Sequence, residues 1–181
     1  RAFDGCPGLS CGQIYNSVTK IEDRAVFGTA LTSGSIPDTV MWIDAQAFGN
    51  CLKLTSLTTP RTNTAYQTID GDLYNKEGTV LIQYAVGKSA KTFSIPAGVE
   101  TAESTAFFRA YQPEKIVNPA SVPVLGHRVF GTCPALQAIS LHEKNTFYLS
   151  RRGDLHAHDS RTVLQSASVH DHRTFAPTSA V

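Results

Sequence analysis

The residues best suited to chemistry form two clusters near the end of the chain. One is a D-x-H-x-H run at 154–158 that includes His156 and His158, and the other is His170 and His172 flanking an aspartate. Alternate residues of a strand project from one face, so His156 and His158 have the spacing of two imidazole ligands for a transition metal. A metal-binding protein that uses these histidines is therefore one hypothesis, and a zinc enzyme is its catalytic form.

A second candidate is a calcium loop beginning at Asp70, in the sequence D-G-D-L-Y-N. Such a loop needs an oxygen ligand at its fifth position and a glutamate at its twelfth, where this chain has Tyr74 and Leu81. Turn chemistry is the better interpretation of Asp70 and Gly71. No G-x-S-x-G, G-x-x-x-x-G-K or G-x-G-x-x-G motif occurs, so we predict neither an enzyme nor a bound cofactor.

The elements that position these residues belong to a long internal repeat. A shift of about 82 residues places segment 36–99 on segment 118–181 without a gap. The matched pairs are turn and core types: Pro37 and Pro119, Phe48 and Phe130, Cys51 and Cys133, Leu73 and Leu155, Phe93 and Phe175. His156 then aligns with Tyr74 and His158 with Lys76, which favours solvated hairpin residues over metal ligands.

A shorter repeat of about 23 residues lies inside the long one, and its clearest copy begins at Ile36. Its pattern, I-P-x-x-V-x-x-I-x-x-x-A-F-x-x-C-x-x-L, predicts one short strand per coil, a turn at the proline, and an aromatic plug on the return side. We expect strands near 9–14, 31–36, 54–59, 91–95, 113–118, 136–141 and 173–177. The stretches 71–84 and 153–165 predict inserted β-hairpins.

These motifs resemble the BspA-type leucine-rich repeat family, and the resemblance covers essentially the whole chain. It implies an α/β-type solenoid, mostly β: a right-handed superhelix with one parallel sheet and inserted hairpins. We expect a single solenoid over 1–181, cut from a longer array. Its coils are expected near 1–22, 23–45, 46–90, 91–112, 113–135 and 136–181. The resemblance also implies a surface or secreted protein that adheres to host or neighbouring-cell proteins.

The net charge and hydropathy of the chain argue against nucleic acid and membrane insertion. The net charge of +1 in 181 residues gives no electrostatic drive toward nucleic acid, and no apolar run is long enough to span a bilayer. Neither end of the array carries an evident polar cap, so we expect self-association through the ends.

The outward positions of the predicted strands are mostly small and polar, which suits a broad protein interface. They are the predicted ligand-binding residues: Gln13, Ser33, Ser35, Thr55, Ser56, Thr58, Ser94, Lys115, Gln137 and Ser140. The function predicted is recognition or adhesion through this sheet face, with partners among host-cell, neighbouring-cell and extracellular-matrix proteins. A carbohydrate-binding solenoid is the alternative, with Trp42, Tyr66, Tyr84 and Tyr148 as its aromatic platforms. Trp42 itself is expected to pack against the next coil, and an exposed anchor is the other interpretation.

Overall fold

Short strands joined by turns make up the molecule. The structure, a computed structural model, describes residues 3–10, 12–118, 122, 124–141, 148–151, 154–157 and 163–165. This part of the chain contains no helix. In chain order its strands are β1 Gly12–Gln13, β2 Lys20–Ile21, β3 Ser33–Ser35, β4 Trp42–Ile43, β5 Ser56–Thr58, β6 Tyr66–Ile69, β7 Asp72–Asn75, β8 Val80–Gln83, β9 Thr92–Ser94, β10 Thr101–Ala102, β11 Lys115–Asn118, β12 Val124–Leu125, β13 Ala138–Leu141, β14 Tyr148–Arg151, β15 Asp154–Ala157 and β16 Val163–Gln165.

One strand per coil forms the sheet side, as the short repeat predicts. β1, β3 and β5 pair in parallel, and so do β9, β11 and β13. Each lies inside a predicted strand and is shorter than predicted, although flanking residues such as Thr55 and Gln137 continue the hydrogen bonds to the neighbouring coil. The mostly-β solenoid with coils of about 23 residues is confirmed. The predicted strand at 173–177 falls outside the described residues.

The expected single sheet is divided into two ladders of three strands. β5 pairs with β3, and β9 pairs with β11, but β5 and β9 do not pair with each other. The turn of the first insert occupies the free edge of β5, where the amide of Leu57 donates to the carbonyl of Gly71 at 2.8 Å. The expectation of one continuous sheet is therefore wrong, because the insert takes hydrogen bonds that the next strand would otherwise form.

The inserts are larger than the predicted hairpins. β7 and β8 are the predicted hairpin at 71–84, and β15 and β16 are the one at 153–165, but an additional antiparallel strand precedes each, β6 and β14. Both inserts carry the same register irregularity, after Leu73 in one and Leu155 in the other. This shared detail confirms the long repeat. Asp70 and Gly71 form the β6–β7 turn with positive φ, as turn chemistry predicts.

A second set of strands runs along the return side of the coils. β2 pairs with β4, and β8 pairs with β10, which pairs with β12. After β2, β4, β10 and β12 the chain makes a tight turn with two positive-φ residues four positions apart. The pairs are Arg24 and Gly28, Gln46 and Asn50, Thr105 and Arg109, and Arg128 and Thr132. The turn directs the plug aromatic into the core, and Phe48, Phe107 and Phe130 are fully buried as predicted.

The core also divides at the insert. Leu73 packs into an N-terminal cluster with Phe48 and Leu57, whereas Tyr74, next to it in β7, packs into a C-terminal cluster with Phe107. β7 therefore separates two cores and is buried on both faces. Phe3, in the first described coil, is 50% exposed and lies outside both clusters.

Candidate functional site: the sheet face and a groove on the return side

The outward residues of the first ladder stand in register. Gln13 is opposite Ser35, which is opposite Thr58, and Ser33 is opposite Ser56. Thr55 lies just before β5, where its amide and hydroxyl both donate to the carbonyl of Thr32. The structure therefore places six of the ten predicted residues on or directly beside the first ladder.

The second ladder carries the remaining four predicted residues. Lys115 lies opposite Ala138, and Ser94 and Ser140 flank Val117 in the next row. Gln137 precedes β13, and its amide donates to the carbonyl of Glu114. Each ladder thus carries two outward rows, and those of the second ladder include Lys115 and Val117. Together the outward residues of both ladders are called the sheet face below.

Side-chain exposure agrees with the outward assignment. Ser33, Ser35, Thr55, Thr58, Ser94, Lys115 and Gln137 are exposed, and Ser56 and Ser140 are half-buried. The partial burial of Ser56 has a local cause. A Cβ on Gly71 would lie 3.0 Å from the Cα of Ser56, so the insert turn rests directly against β5. The sheet face is consequently two polar panels separated by the insert turn.

The return side presents a different kind of surface, a groove of about 460 Å³. Met41, Trp42 and Asp44 contribute to it from β4 and its flanks, and Val80, Ile82 and Glu103 contribute from β8 and the residue after β10. We call it the return groove. It lies at the gap between the two return-side sheets, β2–β4 and the sheet that contains β8. The insert therefore divides the sheet side and creates a groove on the return side.

Trp42 is exposed in this groove, which corrects the expectation that it packs against the next coil. Its side chain is 57% exposed, and its neighbour Met41 is 54% exposed. The indole N–H donates to Oδ1 of Asp44 at 2.5 Å, and Oδ2 of Asp44 accepts from the amide of Asp23 at 3.1 Å. These bonds hold the indole ring in place. The hydrogen bond from Trp42 is also the main cause that lowers the pKa of Asp44.

A buried polar network supports the groove from below. The side-chain amide of Asn63 donates to the carbonyls of Pro37 and Val40, and its oxygen accepts from the amides of Ala65 and Tyr66. The hydroxyl of Tyr66 then accepts from the amide of Ile43 at 2.8 Å. Polar side chains replace the missing strand pairing on this edge of β4, so the groove is held rigidly.

The aromatic platforms required by the carbohydrate alternative are largely absent. Tyr66 is 8% exposed and Tyr84 is fully buried, so neither can stack on a sugar. The side chain of Tyr148 lies outside the described part of the chain. Of the four proposed platforms, Trp42 is the one that the structure places at the surface.

The histidine cluster lies mostly outside the described residues, which include the backbone of His156 but not His158, His170 or His172. The first copy of the insert shows how the positions equivalent to His156 and His158 are placed. Tyr74, the counterpart of His156, is 1% exposed, so the solvated-hairpin interpretation does not hold for that copy. Lys76, the counterpart of His158, donates to the carbonyls of Arg61 and Asn63. Within the described part of the chain no group of three metal-ligating side chains occurs.

The pair Asp72 and Lys88 is the strongest buried electrostatic feature. Asp72 is 1% exposed; its Oδ1 accepts from the amide of Ala85, and its Oδ2 lies 2.7 Å from Nζ of Lys88. Burial raises the pKa of Asp72 despite these partners. The pair ties β7 to the chain that follows β8.

No helix in the described part is long and apolar enough to cross a membrane.

Comparison with known proteins supports the solenoid family. The model of the BspA-type leucine-rich repeat region matches residues 1–77 and 83–151 in six copies. No curated protein sequence matches the chain.

Three solved structures are similar to it. A leucine-rich cell surface protein from Faecalibacterium prausnitzii is 38% identical with a TM-score of 0.63, over 69% of this chain and 33% of that protein. A leucine-rich repeat protein from Eubacterium ventriosum is 20% identical with a TM-score of 0.63, over 74% of this chain and 42% of that one. The pneumococcal vaccine antigen PcpA is 22% identical with a TM-score of 0.59, over 63% of this chain and 28% of the antigen. The last two show the fold alone, and the chain spans less than half the length of each protein. With the family model matched over most of its length, this chain belongs to the BspA-type leucine-rich repeat family.

Proposed function

We propose that this chain is a non-catalytic recognition module, displayed at a cell surface or secreted, that binds a protein ligand through the sheet face. The observation that carries the proposal is the set of in-register rows on the two ladders, in which most of the described serine and threonine side chains are exposed. Such a surface offers many hydrogen-bond donors and acceptors at low entropic cost, because serine and threonine have few rotamers to fix.

The shape of the surface also supports a protein ligand. Parallel strands stacked at regular spacing form a broad, shallow face, whereas small-molecule sites are concave and enclosed. Nucleophilic catalysis would require a base held next to a nucleophile. The described residues of the sheet face are serines, threonines, two glutamines, a lysine, an alanine and a valine, with no histidine among them.

The proposed location and partner rest on similarity. The cell surface protein from Faecalibacterium prausnitzii is 38% identical to this chain, which supports display on a cell surface. A module displayed there would meet host proteins, neighbouring-cell proteins or extracellular matrix, and the proposed ligand is of that class.

A capture experiment tests the sheet face. The variant Thr55→Glu/Thr58→Glu/Lys115→Glu puts three acids on exposed positions of both ladders. A ligand that docks there would have to strip water from these carboxylates, and an acidic ligand would also be repelled. Immobilised wild-type and variant proteins would be incubated with extracellular-matrix and cell-surface proteins, and retained proteins identified by mass spectrometry. We expect the variant to lose the retained protein while its circular dichroism spectrum is unchanged.

A charge-matched control separates location from net charge. Lys53, Thr62 and Thr64 are also exposed and lie outside the sheet strands, so Lys53→Glu/Thr62→Glu/Thr64→Glu adds the same charge elsewhere. Capture should survive in this control. Equal capture by all three proteins would show that the sheet face is not the binding surface.

A further inference from the structure

The return groove combines an aromatic ring with two carboxylates. Trp42 and Asp44 line one side and Glu103 lines the other. Within the described part of the chain, no lysine, arginine or histidine lines this groove. Lys20 lies opposite Trp42 in β2. Its Nζ is 3.8 Å from a carboxylate oxygen of Glu22, and its charge also acts on Asp44 from outside the groove.

Elsewhere in the molecule the same combination holds a basic side chain. The guanidinium of Arg24 stacks 4.0 Å from the ring centre of Phe27 and lies 3.3 Å from Oδ1 of Asp4. Lys88 lies 5.2 Å from the ring centre of Tyr84 and 2.7 Å from Oδ2 of Asp72. In both cases a ring and a carboxylate share one cation of the chain itself.

We propose that the return groove binds an arginine or lysine side chain of a protein partner, with the charged group against Trp42 and between the carboxylates. Tryptophan has the strongest cation–π attraction of the aromatic residues. The pKa of Asp44 is lowered, so this carboxylate is already ionised when the partner arrives. The half-buried Val80 and Ile82 offer apolar surface to the aliphatic stem of a basic side chain.

The inference is independent of the sheet face, because the groove lies on the return side and shares no residue with it. A module with both surfaces would hold a ligand on one side and a basic segment on the other. Charge complementarity selects the class of partner: an acidic, aromatic groove favours a cationic side chain over a neutral or acidic one.

Trp42 is the single tryptophan of the chain, so its fluorescence reports on the groove directly. Wild-type protein would be titrated with acetyl-Gly-Arg-Gly-amide and with the matched peptide in which citrulline replaces arginine. Citrulline keeps the shape and removes the charge. We expect a saturable change in emission with the arginine peptide, at millimolar affinity, and about tenfold weaker binding of the citrulline peptide.

Three variants test whether the arginine peptide binds in the return groove. Glu103→Gln should weaken the arginine peptide about threefold, the range for an exposed ion pair. Glu114→Gln, which removes a carboxylate on the opposite side, should leave its affinity unchanged. Trp42→Leu keeps an apolar side chain without a π face, and titration calorimetry should show roughly fivefold weaker binding.

Three results would overturn the proposal. One is equal binding of the arginine and citrulline peptides, and another is no saturable change with either. The third is a response to a neutral disaccharide such as cellobiose without a response to arginine, which would make the groove a sugar site.

Discussion

The sheet face and the return groove differ in the side chains that form them. The sheet face consists of short hydroxyl and amide side chains repeated in rows, with one lysine and no carboxylate among the ten predicted residues. The return groove is a single recess with an exposed tryptophan, apolar flanks and two carboxylates. The first surface results from the 23-residue repeat, and the second occurs where the repeat is interrupted.

The difference shows what the first insert does. β6, β7 and β8 replace an ordinary return with a three-stranded meander. Its turn ends the first ladder at β5, and its body leaves β4 without a strand partner on one edge. One insertion therefore divides the polar face and opens the groove, so the two surfaces depend on the same element. The predictions below test that dependence, from the largest expected effect to the smallest.

Leu73→Ala removes the fully buried side chain by which β7 packs into the N-terminal core. Creating a cavity there should lower the free energy of unfolding by about 2–5 kcal/mol, because the neighbouring coils cannot close around it. Urea denaturation followed by circular dichroism measures this loss. Thr58→Ala on the sheet face is the control and should change stability by less than about 0.5 kcal/mol. Equal effects of the two changes would show that the insert does not bridge the cores.

Asn63→Ala removes the side chain that replaces strand pairing under the groove. Two carbonyls and two amides lose a buried partner, so stability should fall by about 1–3 kcal/mol. Because Asn63 positions Tyr66, the emission maximum of Trp42 should also shift. Capture of a protein ligand by the sheet face should persist. Loss of capture with an unchanged Trp42 spectrum would contradict the separation of the two surfaces.

The carboxyls of Asp72 and Asp44 should respond to pH in opposite directions. Burial raises the pKa of Asp72 above its ordinary value of 3.8, so its contribution to stability is present below that value and is lost as the pH rises through the raised pKa. The pKa of Asp44 is lowered by the indole of Trp42, so its contribution is present above 3.8 and is lost as the pH falls through the lowered pKa.

Denaturation of Asp72→Asn and Asp44→Asn between about pH 3 and pH 7 measures this contrast. Relative to the wild type, Asp72→Asn should gain stability as the pH rises, and Asp44→Asn should lose it. Parallel curves for the two variants would contradict the assigned environments.

The sequence predicts most of the coil architecture because each coil repeats the same requirements. Ile36, Phe48 and Cys51 recur at fixed spacing, and a coil that cannot bury its own apolar face must stack on the next. The outward rows follow from strand alternation, so exposed residues such as Ser35 and Thr58 could be assigned without coordinates. The burial of Phe48 and Phe130 in the same setting confirms that periodicity.

The insert and the groove are harder to predict because they depend on contacts between unequal coils. The sequence predicts a turn at Asp70 and Gly71 and a hairpin over 71–84, but no pattern before the turn marks a further strand, so β6 is not predicted. The position of Trp42 between Val40 and Ile43 is compatible with packing or with exposure. Lys20, its partner in β2, is also exposed although β4 lies beside it, so this register position faces outward. The recess next to Trp42 arises because the insert leaves β4 without a strand partner on that edge.

Hydrogen–deuterium exchange of the complex with the captured protein tests the central claim most directly. If the sheet face is the recognition surface, ligand binding will slow exchange in segments 32–36, 55–58, 92–94 and 115–117. Exchange in segments 41–44 and 80–83 will stay as in the free protein. Slower exchange confined to the return-side segments would contradict the account.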